Sequence, residues 1–93
     1  MPDKNSVFKL APHVIKRFEP KLERCYLLNF ENDEIWMGNS AINIILAQFD
    51  GKTNLETIIN DVSCYFENYS IDDILNATLP VLQELTDKKF IVC

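Results

Sequence analysis

The stretch WMGNSAINIILAQFDGKTNLETI, residues 36–58, predicts the end of a strand, one complete helix and the start of a second helix. Asn39 or Ser40 is placed to cap the first helix, because either side chain accepts hydrogen bonds from the free N–H groups of an opening turn. Gly51 is expected to end that helix, since glycine tolerates the left-handed conformation favoured there. Residues 53–56, TNLE, match a capping box that starts the second helix.

Apolar residues recur at helical spacing in both of these segments. In the first helix they are Ala41, Ile42, Ile45, Leu46 and Phe49. In the second they are Leu55, Ile58, Ile59, Val62 and Phe66. This spacing places the apolar side chains on one side of each helix, where they face a core.

A third helix is predicted over residues 71–86. Ser70 and Asp73 repeat the capping pattern, and the acidic residues of the first turn favour the helix dipole. The apolar residues of this helix cover an arc of roughly 160° at 100° per residue, which is wider than a single contact requires. Pro80 lies inside the helix.

Three short strands precede the helices. Residues 13–19, 24–30 and 35–38 are rich in apolar and aromatic residues, and Pro20 and the turn sequence ENDE separate them. Their succession predicts a three-stranded antiparallel sheet.

The rest of the chain completes one domain. Residues 1–12, with Pro2 and Pro12, predict an irregular N-terminal arm. Residues 13–93 predict a single domain, because 93 residues are enough for one hydrophobic core and too few for two. The final FIVC, residues 90–93, is either a short closing strand or an apolar tail.

The composition is that of an ordinary globular chain, with 47% apolar and 25% charged residues. No apolar run is longer than four residues, as in residues 44–47, so we expect no membrane partner and a cytoplasmic location. The formal charge of −5 argues against a nucleic-acid partner, because phosphate binding depends on clustered Lys and Arg.

The chain offers little for catalysis. Cys25, Cys64 and Cys93 are far apart and lack the spacing of a metal site, so we interpret them as reduced thiols. His13 is the single histidine and lies near a predicted strand start, so we interpret it as a structural or solvent-facing residue. General acid–base or nucleophilic chemistry needs titratable groups that converge. We therefore expect a protein that is not an enzyme and has no metal or cofactor.

The resulting fold class is α+β, with a three-stranded antiparallel sheet followed by three helices (βββααα). This order resembles a winged helix-turn-helix, so the alternative hypothesis is a DNA-binding regulator. Its recognition helix would be the third helix, which carries Asp72, Asp73 and Glu84 and no Lys or Arg. Phosphates would be repelled by that surface.

The segment WMGNSAINIILAQFDGKTNLETIINDV, residues 36–62, resembles the signature region of the PqqD-like proteins, the RiPP recognition elements. In that region a strand ending at Asn is followed by a helix, a DG stop, a Thr-led cap and an Ile-rich second helix. The likeness covers residues 14–85 and is to the broader family rather than to PqqD itself. It implies a non-catalytic peptide chaperone that binds the leader of a ribosomally made precursor peptide and presents it to a modifying enzyme, often a radical SAM enzyme.

The resemblance also implies a peptide-binding site. The leader adds as an extra strand to the edge of the sheet and fills a groove between the third strand and the third helix. On the strand, the implied contacts are Glu34, Ile35, Trp36, Met37 and Gly38. On the helix, they are Ile71, Leu75, Thr78, Leu79, Leu82 and Thr86.

Structural interpretations of the same residues stay open. Trp36 fits a packed core or edge aromatic, and Gly38 fits a simple turn residue. The surplus apolar surface of the third helix could pack on the N-terminal arm, through Val7, Phe8 and Leu10, or on a second copy of the chain. Both a monomer and a homodimer are therefore possible.

Overall fold

The computed structural model describes residues 2–93 and confirms a three-stranded antiparallel sheet followed by three helices. The strands are β1 (Lys9–Leu10), β2 (Val14–Glu19), β3 (Arg24–Asn29), β4 (Glu34–Asn39) and β5 (Ile91–Val92). The helices are α1 (Ser40–Leu46), α2 (Leu55–Val62) and α3 (Ile71–Asp87), with a short 3-10 helix at Ser63–Tyr65 between α2 and α3. The predicted α+β fold class is confirmed.

The central sheet has two unlike faces. β3 lies in its middle and pairs antiparallel with β2 on one side and with β4 on the other. Cys25, Leu27 and Asn29 of β3 are buried on the face that α1 covers, which we call the inner face. Because successive strand residues point to opposite sides, Tyr26 and Leu28 lie on the outer face.

α1 begins as predicted but ends early. The Asn39 side chain accepts a hydrogen bond from the N–H of Ile42 at 3.0 Å, so Asn39 is the N-cap. The helix ends at Leu46, before the predicted Phe49. Gly51 does take a left-handed conformation, with φ of 74°, but it lies in the loop after α1 rather than at the helix end.

The N-cap of α2 is Asn54, so the capping box predicted at residues 53–56 is wrong. The Thr53 hydroxyl donates to a carboxylate oxygen of Asp50 at 2.8 Å, and the Thr53 N–H donates to the other at the same distance. Thr53 therefore belongs to the turn before α2, and the Asn54 side chain accepts the N–H of Thr57 instead.

α2 stops at Val62, before Phe66, which the periodicity predicted to lie on the helix. The 3-10 helix follows, and the backbone of Phe66 leaves helical conformation with φ of −128° and ψ of 60°. Phe66 is partly buried against the core and starts the connection to α3.

α3 begins with the predicted capping box. The Ser70 hydroxyl accepts the N–H of Asp73, and the Asp73 carboxylate accepts the N–H of Ser70. The helix continues through Pro80 to Asp87, one residue beyond the predicted end. No helix in residues 2–93 is long and apolar enough to cross a membrane.

The N-terminal segment was predicted to be an irregular arm, and residues 2–12 correct this expectation. β1 pairs antiparallel with β5, which confirms a closing strand at the C-terminus. Phe8 is completely buried, and its ring stacks on Phe49 with the ring centroids 5.3 Å apart. The segment is ordered because Phe8 forms part of the core.

The same segment also completes the start of α2. The N–H groups of Leu55 and Glu56 donate to the carbonyl oxygens of Ser6 and Lys4, both at 2.9 Å. The first N–H groups of a helix have no partner within the helix, so carbonyls from elsewhere stabilise it.

Candidate functional site

β4 is an edge strand, because it pairs with β3 and with no other strand in residues 2–93. On β3, the Phe30 N–H donates to the His13 carbonyl on the β2 side. Backbone groups alternate between the two sides of a strand, so Leu27 exchanges hydrogen bonds with its β4 partner Trp36. The outward-pointing backbone groups of β4 are then the N–H and C=O of Ile35 and Met37 and the N–H of Asn39, because the Asn39 C=O accepts the first hydrogen bond of α1.

The side chains of β4 also alternate between the two faces. Ile35 and Met37 point to the outer face and are 65% and 63% exposed. Trp36 and Gly38 point to the inner face and are partly buried, and Glu34 begins the strand on that side as an exposed residue. The predicted strand contacts therefore share one edge but divide between two faces.

Trp36 links β4 to α3. Its indole Nε1 donates to a carboxylate oxygen of Glu84 at 2.5 Å. Its ring lies over Gly38, because a Cβ at Gly38 would overlap the Trp36 ring and an Ile42 methyl. Gly38 is therefore not a turn residue: its missing side chain makes room for the indole.

A groove runs between α1 and α3, which we call the α1–α3 groove. One part has a volume of about 300 Å³ and ends at Phe66 and Tyr69. The second part, of about 160 Å³, reaches the last residue of β4. The two parts share three lining residues of small or moderate size, namely Ala41, Ala77 and Thr78.

Two of the predicted helix contacts are buried. Thr78 lines the groove with 5% exposure, and its hydroxyl donates to the carbonyl of Ile74 at 2.7 Å. Leu82 is completely buried and belongs to the hydrophobic core. Thr78 forms part of the groove wall, whereas Leu82 is not accessible to a peptide.

Four other predicted contacts do not line the groove, namely Ile71, Leu75, Leu79 and Thr86. The hydrogen bond from Trp36 to Glu84 shows that Glu84 lies on the side of α3 that faces β4. At 100° per residue, all four lie roughly 140° or more around the helix axis from Glu84. They are partly buried on the flank of α3 that is turned away from β4.

Sequence reasoning missed the flank of α3 that does face β4. Ala77 and Val81 line the groove, and Glu84 continues the same flank to Trp36. Their spacing of four and three residues was a usable signal. It was missed because the predicted helix contacts were mainly bulky apolar residues, whereas this flank combines a small, a medium-sized and a charged residue.

The groove side of α3 carries negative charge. Asp73 lines the end near Tyr69, and Glu84 lies at the β4 end. α3 itself contains no Lys or Arg. Both carboxylates already accept hydrogen bonds, Asp73 from the N–H of Ser70 and Glu84 from the Trp36 indole.

The thiols do not form part of this groove. Cys25 is completely buried on the inner face, and this burial raises the pKa of its thiol while nearby Lys16 partly opposes the shift. Cys64 and Cys93 are exposed. Among residues 2–93, no three His, Cys, Asp or Glu side chains are grouped as metal ligands. That the protein is not an enzyme stays a prediction.

No protein-family model, curated protein or solved structure matches the chain. The resemblance of residues 36–62 to the PqqD-like proteins therefore stays a prediction from the sequence. The open β4 edge and the adjacent α1–α3 groove are the structural features on which a function can be proposed.

Proposed function

We propose that this protein binds the leader of a ribosomally synthesised precursor peptide and presents the peptide to a modifying enzyme, without catalysing a reaction itself. The observation that carries the proposal is the unpaired outer edge of β4 beside the α1–α3 groove. The resemblance of residues 36–62 to RiPP recognition elements supports the same function. On that resemblance alone, the proposed enzyme is a radical SAM enzyme.

In the proposed binding mode the leader becomes a fourth strand of the central sheet. Its backbone would pair with the outward N–H and C=O groups of Ile35 and Met37, as in other cases of strand addition. Every second side chain of the leader would then point toward α3, where Ala77 and Val81 line the groove. Backbone pairing supplies affinity for many sequences, and the groove supplies selectivity.

Trp36 lies where the leader would meet α3. Its indole is held over Gly38 and bonded to Glu84, so the ring lies between β4 and α3. Trp36 is also the single tryptophan of the chain. Its fluorescence therefore reports on this site without added labels.

The proposal is tested by titrating the purified protein with the leader of the precursor peptide encoded beside its gene. Trp36 fluorescence and calorimetry should both show saturable binding. Met37→Pro removes one outward N–H without removing a bond to β3, so we expect affinity to fall at least about tenfold, or roughly 1.4 kcal/mol. Circular dichroism and thermal melting must show that the variant is folded.

The matched control is Asn60→Ala, on the exposed side of α2, which should leave leader affinity unchanged. No saturable binding up to high micromolar leader, or equally tight binding by folded Met37→Pro, would contradict the proposal. A parallel titration with duplex DNA from upstream of the gene tests the regulator alternative. A discrete DNA complex that weakens steeply with salt would favour that alternative.

A further inference from the structure

The outer face of the central sheet is a second surface, on the opposite side of the sheet from the α1–α3 groove. Ile15, Leu28 and Ile35 are directly paired across the three strands and form one row on this face. Ile15 is 54% exposed and Ile35 is 65% exposed. Tyr26 and Met37 lie beside them in the next row, so the apolar surface is continuous.

This apolar surface contains a depression. It has a volume of about 370 Å³, and its lining residues are Ile15, Arg17, Tyr26, Leu28 and Ile35. Continuous apolar patches on a protein surface mark interaction sites more often than isolated exposed residues do. The outer face therefore has the properties of an interaction surface.

The charges at the two ends of the face indicate what that partner is. At the end near the β2–β3 turn, Arg17 and Arg24 lie on the outer face and form no ion pair within residues 2–93. The negative charge of Glu19, the cross-strand neighbour of Arg24, offsets one of the two arginines. In the turn, the opposite charges of Lys21 and Glu23 cancel each other. This end therefore carries a net positive charge, although the whole chain is acidic at −5.

The other end of the face is negative. The β3–β4 turn carries Glu31 and Asp33, and its neighbour His13 approaches the Glu31 carboxylate at 3.3 Å. The Glu31 side chain is 73% exposed, so it is accessible to a partner. Along the strands, the outer face is thus positive at one end, apolar in the centre and negative at the other end.

We infer that the outer face is the interface of a homodimer in which two copies pack their sheets face to face. A two-fold axis that runs across the strands places the positive end of each copy against the negative end of the other. Arg24 then faces Glu31 of the second copy, and the two apolar centres cover each other, as in packed β-sheets. This arrangement leaves the outer edge of β4 and the α1–α3 groove open, and it does not depend on the proposed function.

The first experiment measures the mass of the full chain by sedimentation equilibrium over a micromolar concentration series. We expect about twice the 10.8 kDa mass of one chain at the upper concentrations. Ile15→Lys places a charge in the apolar centre and should raise the dimer dissociation constant at least about tenfold. Tyr65→Lys is the matched control, because Tyr65 is 67% exposed on the 3-10 helix, and it should leave the constant unchanged.

The second experiment tests the direction of packing by charge reversal. Arg24→Glu should weaken the dimer because it brings like charges together across the axis. Adding Glu31→Arg to the same chain should restore association, because each reversed charge then meets an opposite one. Restoration is specific to the proposed two-fold axis.

Three results would overturn the inference. One is a mass of 10.8 kDa at every concentration. Another is a dimer that both Ile15→Lys and Leu28→Lys leave intact, since such a dimer would be held elsewhere, for example by pairing of two β4 edges. The third is a failure of Glu31→Arg to restore the Arg24→Glu dimer. Circular dichroism of each variant shows that the fold is retained before its mass is interpreted.

Discussion

The two faces of the central sheet differ although their sequences are similar. Leu27 and Leu28 are neighbours on β3, yet Leu27 is completely buried and Leu28 is 36% exposed. α1 contacts β3 on the inner face. On the outer face no element of residues 2–93 covers the row that contains Leu28. The helices, rather than the residue type, therefore decide which leucine belongs to the core.

Side chains also pack more closely on the inner face than on the outer face. Gly38 leaves the space that the Trp36 ring and the Ile42 methyl fill. Ile35 and Met37, on the other side of the same strand, are mostly exposed and have no such fit. Substitutions on the two faces should therefore have unequal consequences.

The largest difference should appear between Leu27→Ala and Leu28→Ala. Leu27→Ala leaves a cavity in the core and should lower the free energy of unfolding by about 2–5 kcal/mol. Leu28→Ala removes partly exposed atoms and should cost less than about 1 kcal/mol. Urea unfolding at protein concentrations low enough to dissociate a dimer measures both. Equal losses would show that the outer face is covered within one chain.

Gly38→Ala should have the next largest effect. The added Cβ meets the Trp36 ring and the Ile42 methyl, so overpacking should cost about 1–3 kcal/mol. We also expect Trp36 emission to shift to longer wavelength as the indole moves toward water. Met37→Ala, one residue earlier and on the outer face, serves as the control. An unchanged emission spectrum in Gly38→Ala would show that the ring does not depend on the glycine.

Two residues of α3, Val81 and Leu79, test which flank of the helix contacts the peptide. Val81 lines the α1–α3 groove and Leu79 lies on the opposite flank, although both are partly buried. Val81→Asp should weaken leader binding at least about tenfold, near 1.4 kcal/mol, while folded Leu79→Asp should bind as the parent does. Calorimetric titration of both variants measures this. The reverse ranking would move the peptide to the other flank.

The smallest expected effect on the inner face is that of the Cys25 thiol on stability. Burial raises the pKa of Cys25 above its ordinary value of 9.0, so this thiol ionises at higher pH in the folded chain than in the unfolded chain. Its contribution to stability is complete below the unfolded pKa and is lost as the pH rises through the folded pKa. Stability should therefore fall at strongly alkaline pH, and less so in a Cys25→Ala variant.

Alkylation followed by mass spectrometry checks the same point directly. At mildly alkaline pH, iodoacetamide should modify the exposed Cys64 and Cys93 in the folded protein and reach Cys25 only after denaturant is added. Rapid modification of all three thiols in the folded state would contradict the burial of Cys25.

Much of the fold followed from short-range signals. The Ser70–Asp73 capping box was predicted, and the cap of α1 was predicted at Asn39 or Ser40 and lies at Asn39; each is a bond between residues three apart. The same kind of signal failed at Thr53, because the nearby Asp50 carboxylate binds its hydroxyl and its N–H. Local competition between two hydrogen-bonding partners is therefore one limit of sequence reasoning.

The candidate site could be predicted only in part. The edge position of β4 followed from the family resemblance. The flank of α3 did not, because Val81 and Leu79 are both partly buried apolar residues of one wide arc. Which of them faces β4 depends on the rotation of α3 about its axis, which the Trp36–Glu84 contact reveals.

The sequence by itself determined the order of the three central strands and the three α-helices, the starts of α1 and α3 and the left-handed turn at Gly51, because these depend on residues within a few positions of one another. Tertiary structure alone decided that Phe8 is a core residue, since its ring packs on Phe49, far along the chain. It also decided that Leu28 stays exposed while Leu27 is buried, because burial depends on which face of the sheet the helices cover.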